Sequence, residues 1–183
     1  MQTNLADFIR DTSAGREADA ILRSCVHCGF CNATCPTFQL LGDELDGPRG
    51  RIYLIKAMLE GQPVSATTQL HLDRCLSCRA CETTCPSGVN YHRLLDIGRE
   101  VLEQRVPRSA KSRATRFLLR AVLPRERLFR PLLRASQMLQ PLLPRALAGK
   151  VPKPATVAPP WPRSPGRQRK LITLAGCVQP ALA

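Results

Sequence analysis

The chain has 183 residues, 44% hydrophobic but only 4% aromatic, with 16 prolines, nine cysteines and a formal charge of +13. That length suits one domain and the start of a second. No basic stretch followed by an apolar one opens the chain, and no apolar run approaches the roughly 20 residues that cross a bilayer. The expectation is a reducing cytoplasm, where cysteine binds metal or does chemistry and a disulfide framework is excluded. The charge is divided unevenly. Residues 1–104 carry 10 Lys+Arg and 13 Asp+Glu, a net of −3, while residues 105–183 carry 17 Lys+Arg and one acid, Glu126, a net of +16.

Residues 1–15 are polar and read as a loose lead-in. Arg16–Arg23 reads as a short helix with Ala18, Ile21 and Leu22 on one face, delivering the chain into Cys25. Cys25, Cys28, Cys31 and Cys35 then form one run, closed by Pro36. Thr37–Leu41 leads into a turn-rich loop, Gly42–Pro48, and Pro48 opens a helix carrying Ile52, Ile55 and Leu59 that ends at Gly61. Ser65 is placed to cap a second short helix running into Cys75. Cys75, Cys78, Cys81 and Cys85 form a second run, closed by Pro86. Asn90 is placed to cap a third helix, Tyr91 to about Gln104, with Leu94, Leu95, Ile97, Val101 and Leu102 as its apolar face. Nothing between residues 16 and 104 reads as a strand.

Residues 105–150 differ in kind. Pro107, Pro124, Pro131, Pro141 and Pro144 are expected to cut them into short helices such as Ala114–Leu123 and Leu132–Leu139, each mixing leucine with arginine. Residues 151–169 form a Pro-rich linker. Leu171–Cys177 reads as a buried strand, and with the chain stopping at Ala183 the expectation is the start of a truncated α/β domain over 170–183, since one strand cannot stand alone. The fold class is mainly α, divided at 1–104, 105–150, 151–169 and 170–183.

The chemistry lies in the repeated run. Both copies read Cys-x-x-Cys-x-x-Cys-x-x-x-Cys-Pro, offset by 50 residues, and together they take eight of the nine cysteines. Structural zinc uses two separated pairs, whereas this spacing is that of proteins holding two 4Fe-4S clusters. In such proteins the fourth cysteine of each run ligates the other cluster. Applied here, one cluster takes Cys25, Cys28, Cys31 and Cys85, and the other takes Cys75, Cys78, Cys81 and Cys35. Cysteines so closely spaced converge only from a tight loop, for which Gly29 supplies backbone freedom. His27 lies between ligands as a neighbouring or surface residue. No dinucleotide fingerprint, P-loop lysine or catalytic triad accompanies the cysteines, so substrate chemistry is expected on another polypeptide and electron transfer on this one. The basic segment is open to three readings: a solvated or subunit-facing surface, an amphipathic membrane contact, or nucleic-acid binding, which is not expected because neither a recognition fold nor stacking aromatics accompany the charge.

The run from Cys25 through Gly42-Asp-Glu-Leu-Asp-Gly-Pro-Arg-Gly-Arg-Ile-Tyr-Leu-Ile-Lys56, with Ser87-Gly-Val-Asn-Tyr-His and Leu94–Arg99, resembles the iron-sulfur subunits of bacterial glycolate oxidase (glycolate dehydrogenase). The paired runs alone occur more widely, in subunits for lactate utilisation, anaerobic glycerol-3-phosphate oxidation and heterodisulfide reduction, and a free-standing ferredoxin-like carrier is the remaining alternative. The resemblance implies an α-helical ferredoxin domain followed by cysteine-rich domains, of which Gly176-Cys177-Val-Gln-Pro looks like the first entry. It implies FAD-containing partner subunits that oxidise glycolate to glyoxylate. It also implies two 4Fe-4S clusters carrying the electrons toward a quinone-type acceptor, with the protein peripheral at the inner face of the cytoplasmic membrane.

Overall fold

The computed structural model describes residues 1–144 and 148–152. The expected strand at Leu171–Cys177 and most of the Pro-rich linker lie outside them. The described residues are helical, with no strand among them, and the chain divides into two compact units, Met1–Arg108 and Ser109–Ala183.

In the first unit the opening residues are not loose. Leu5 and Ile9 are buried, and α1 (Asp7–Arg10) leads into α2 (Ser13–Ser24). Thr12 accepts from the Gly15 amide and so starts α2 at Ser13, three residues before the expected Arg16. Gly15 is part of that packing: a Cβ there would stand 1.9 Å from the Ile9 carbonyl oxygen. After α2 come the one-turn helix α3 (Phe30–Ala33) and α4 (Pro36–Leu41), neither of them among the elements expected from the sequence. Pro36 at the first helical position explains α4, since its missing N–H costs nothing there. A 3-10 turn, Glu44–Asp46, then leads to α5 (Pro48–Leu59).

Ser65 caps α6 (Ala66–Asp73) as expected, through the amides of Thr67 and Thr68. The one-turn α7 (Ala80–Thr83) and the long α8 (Tyr91–Arg105) complete the unit. Asn90 makes no side-chain cap on α8. The acceptor is instead Glu82, whose carboxylate takes the His92 amide at 2.7 Å and so sets a negative charge at the positive end of the helix. The core lies where α2, α5 and α8 meet, with Leu22, Ile55, Met58, Leu94, Leu95 and Leu102 essentially inaccessible. Burying each such side chain stabilises the fold by roughly 1.5–3 kcal/mol. The crossing of α5 and α8 is tight enough that a Cβ on Gly98 would lie 2.7 Å from Ile55 Cγ1.

In the second unit, α9 (Ala110–Val122) and α10 (Glu126–Met138) are longer than the sequence suggests, and α10 carries Pro131 in its interior. Proline there forfeits its bond to the Arg127 carbonyl and crowds that carbonyl with its ring, yet the helix continues through it. Both helices are strongly amphipathic, yet Phe117, Leu118, Leu132 and Met138 are exposed, and Leu133 is the buried residue of α10.

Candidate metal centres

Each cysteine run leaves a helix, α2 or α6, and turns through a loop before a one-turn helix. Within the loops φ alternates in sign. It is positive at His27 (59°) and Gly29 (88°) in the first copy, and at Ser77 (54°) and Arg79 (62°) in the second. Alternation of this kind points successive amide N–H groups into one concavity, an arrangement suited to anionic and iron–sulfur groups. The requirement at Gly29 was legible in the sequence. The three non-glycine residues at positive φ were not, and each costs about 1–2 kcal/mol. Bonds from the cysteines to a bound group would offset that strain.

The two copies are brought face to face. α3 packs on α7, and Thr84 Oγ1 donates to Thr34 Oγ1 at 3.3 Å, a pair offset by 50 residues like the cysteines. Two cavities open on either side, of about 440 and 400 Å3 with their mouths counted. The first is lined by Cys25, Cys28, Cys31 and Cys85, the second by Cys35, Cys75, Cys78 and Cys81. Cys81 also reaches the first, and Pro48 and Tyr91 line both. The fourth cysteine of each run therefore stands in the cavity of the other run. Cys25, Cys35 and Cys81 are buried, and Cys28 and Cys78 are exposed.

None of these eight cysteines is in a disulfide, and their electrostatics suit a cationic guest. Burial, then the neighbouring Cys25, Cys85 and Cys28, pushes the Cys31 thiol up to about 11. Burial, then Cys31 and Cys75, pushes Cys81 up to about 12. Gathered thiolates repel one another in a poorly solvated space, and a metal sharing that space reverses the balance and deprotonates them outright. Cys35 differs. Burial raises it, but the Thr37 hydroxyl, the Phe38 and Thr37 amides and the Arg51 guanidinium together hold it below the ordinary thiol range. Eight sulfurs in two groups of four, around two spaces and under inward-pointing amides, fit iron–sulfur clusters.

A buried polar network backs the second cavity. Asp46, Arg51 and His71 are all nearly inaccessible. Asp46 accepts from Arg74 Nη1 at 2.7 Å, and its other oxygen lies 3.0 Å from His71 Nδ1 and 3.5 Å from Arg51 Nη2. Burial opposes the Asp46 charge, but His71 and Arg74 overcome it and hold the carboxyl below the usual range. Arg51 Nε donates to the His71 carbonyl at 2.7 Å, and its two terminal nitrogens lie 3.2 Å from Thr37 Oγ1. Asp43, Asp46 and His71 bring ligand atoms within 4.8 Å of one another, but Asp46 is already committed to two guanidiniums, so this is an ion-pair network. Sequence reasoning missed it. Its signal was the run Asp46-Gly-Pro-Arg-Gly-Arg51, in which a Cβ on Gly50 would lie 2.1 Å from the Glu44 carbonyl oxygen. His27 is exposed and sits beside Tyr53, ring centroids 6.3 Å apart.

Comparison with known proteins follows the same lines. A 4Fe-4S dicluster domain model matches residues 21–89. The whole chain is 56% identical to the glycolate oxidase iron-sulfur subunit of Escherichia coli, covering 45% of that protein. It is 42% identical over 52% of its length to the probable glycolate oxidase iron-sulfur subunit of Bacillus subtilis, covering 22% of it. The likeness to the succinate dehydrogenase iron-sulfur subunit of Paracoccus denitrificans is 28% over 38% of the chain and 29% of that protein. The chain thus spans less than half the length of the curated relatives it matches, and no solved structure matches it significantly. Residues 21–89 match the 4Fe-4S dicluster domain model, and the chain is similar along its own full length to an iron-sulfur subunit of glycolate oxidase.

Proposed function

We propose that this chain is the iron-sulfur electron-transfer subunit, or part of it, of a glycolate oxidase (glycolate dehydrogenase) complex. One 4Fe-4S cluster is held by Cys25, Cys28, Cys31 and Cys85, the other by Cys75, Cys78, Cys81 and Cys35. The observation that carries this reading is the exchange of fourth cysteines between the two cavities, matching the ligand swap of two-cluster proteins. Bound clusters supply one-electron redox chemistry between a flavin and a membrane acceptor. The chain supplies the sulfur ligands, the amides that face them and a core that fixes their separation. Glycolate is oxidised to glyoxylate on FAD-containing partner subunits, consistent with the absence of a substrate-binding motif here. The same dicluster pattern would serve a lactate or glycerol-3-phosphate dehydrogenase or a free carrier; the full-length identity favours glycolate.

The complex sits at the cytoplasmic face of the membrane, and α9 and α10 are its lipid-facing elements. No helix of the described residues is long and apolar enough to cross a bilayer. Exposed Phe117, Leu118 and Met138 beside Arg113, Arg116 and Arg120 suit an anionic surface instead. Two experiments test the reading. Co-expression with a flavoprotein should give a complex that reduces dye on glycolate; purification alone, with no such activity, would leave the free carrier. In Cys85→Ser, iron should fall from about eight atoms per chain to about four, the cluster of the Cys75 run surviving. Loss confined to the Cys75 cluster would reverse the ligand assignment.

A further inference from the structure

The two cavities are alike in backbone and unlike in side chains. Both loops alternate φ at the same positions, so the amides within those loops are common to the two sites, while the Thr37 and Phe38 amides add to Cys35 at the second. What remains is the set of side chains that reach the sulfurs. At the second site the Tyr91 hydroxyl donates to Cys75 Sγ at 3.8 Å, Arg51 Nη1 stands 4.0 Å from Cys35 Sγ, and Thr37 Oγ1 lies 3.2 Å from the same sulfur. Among the described residues no side-chain donor reaches a sulfur of Cys25, Cys28, Cys31 or Cys85. The nearest cation lining the first cavity is Arg49, 36% exposed and paired with Glu44, whereas Arg51 is 1% exposed. Solvent screens the former far more than the latter. Asp46 does not cancel Arg51, because it is shared with Arg74.

Reduction adds negative charge to a cluster, and hydrogen bonds to its sulfurs together with an unscreened cation stabilise the reduced form and raise the potential. We propose that Tyr91, Arg51 and Thr37 make the second site the electron-holding one. A single electron delivered by a flavin partner then rests on the cluster of Cys35, Cys75, Cys78 and Cys81, and the first site is the lower-potential station. This rests on the ligand assignment proposed above. Tyr91, Arg51 and Thr37 act here as tuning residues, not ligands.

The test is an anaerobic potentiometric titration of the iron-loaded full chain followed by electron paramagnetic resonance, with Tyr91→Phe and Thr37→Val beside it. The original chain should show two resolved one-electron steps. Tyr91→Phe keeps the buried ring and should shift only the higher step, downward, by about tenfold in the reduced-to-oxidised ratio, or about 59 mV. Thr37→Val should move the same step in the same direction, and stands as an independent variant should the first not load. A single unresolved midpoint, movement of the lower step, or no movement in either variant overturns the proposal. Iron content separates the two readings: well below about eight atoms per chain in the original protein, the ligand assignment fails and this inference with it. With full iron and unmoved steps, this inference fails alone.

Discussion

The loop of the first cysteine run and the loop of the second share one backbone shape, yet different parts of the chain hold them. Leu22 and Cys25 present their carbonyls to the ammonium group of Met1, at 3.3 and 2.8 Å. Their counterparts 50 residues on, Leu72 and Cys75, present theirs to Arg99 Nη2, at 2.9 Å each. One cation ends a segment at the edge of the fold; the other grows from the middle of α8. The second loop is further backed by the buried Asp46–Arg51–His71–Arg74 network, where the first meets the more exposed Arg49–Glu44 pair with Asn32. Repeating a motif therefore reproduces geometry but not environment. Environment is what distinguishes the stability and electronic character of two sites with identical ligands.

The largest expected effect breaks the buried network behind the second site. Asp46→Asn leaves Arg51 buried without its carboxylate and should cost about 3–5 kcal/mol in denaturant unfolding. If it costs under about 1 kcal/mol, the network is not a structural element of that site. A smaller effect contrasts equivalent positions of the two loops. Gly29→Ala must adopt a positive φ and place a Cβ 2.8 Å from Arg49 Nη1, at an expected cost of about 1–2 kcal/mol. Arg79→Gly at the matching position should change stability by less than about 1 kcal/mol, since relief of strain is offset by a more flexible unfolded chain. Equal effects from the two substitutions would erase the contrast.

The smallest effect concerns the brace of the first loop. Glu60 accepts from the Asn4 amide at 2.9 Å and from Lys56 Nζ at 2.6 Å, pinning the segment that carries Met1. Burial raises its carboxyl, but Lys56 and the Asn4 amide prevail and hold it below the usual glutamate range. Because the folded pKa is depressed, the stabilisation is complete above the free value of about 4.3 and is lost as pH falls through the folded one. The protection of the Asn4 and Ala6 amides, relative to the unstructured chain at the same pH, should therefore fall on acidification, and Glu60→Gln should remove that dependence. The effect is on the order of 0.2–1 kcal/mol. An exchange profile unchanged by the substitution would show that the segment is held by Leu5 and Ile9 alone.

Much of this was legible from residues whose role is local. The cysteine spacing, Gly29, Pro48 as a helix opener and Ser65 as a cap each act within a few positions of themselves. Residues whose role is made by distant partners were not legible. Asp46 meets His71 and Arg74 from 25 and 28 positions away. Tyr91 reads as the first apolar residue of a helix until its hydroxyl is seen against Cys75. The cap of α8 comes from Glu82, ten residues before the amide it takes, while the nearer Asn90 looked sufficient. The opening residues, polar by composition, hide their contribution in two side chains, Leu5 and Ile9.

The contact between Thr34 and Thr84 has one more consequence. In an assembly of two identical chains, a residue on the two-fold axis touches its own copy, and anything one chain lends to the other is lent back in return. Thr34 and Thr84 are such a pair within one polypeptide, and Cys35 and Cys85 are the exchanged parts. The two halves of this unit thus exchange parts as the chains of such a dimer do, while α5 and the turn at Gly61 join them in one chain. Halves joined in one chain need not be identical, as identical chains must be: Arg51 is buried, and the matching position 50 residues on is Val101.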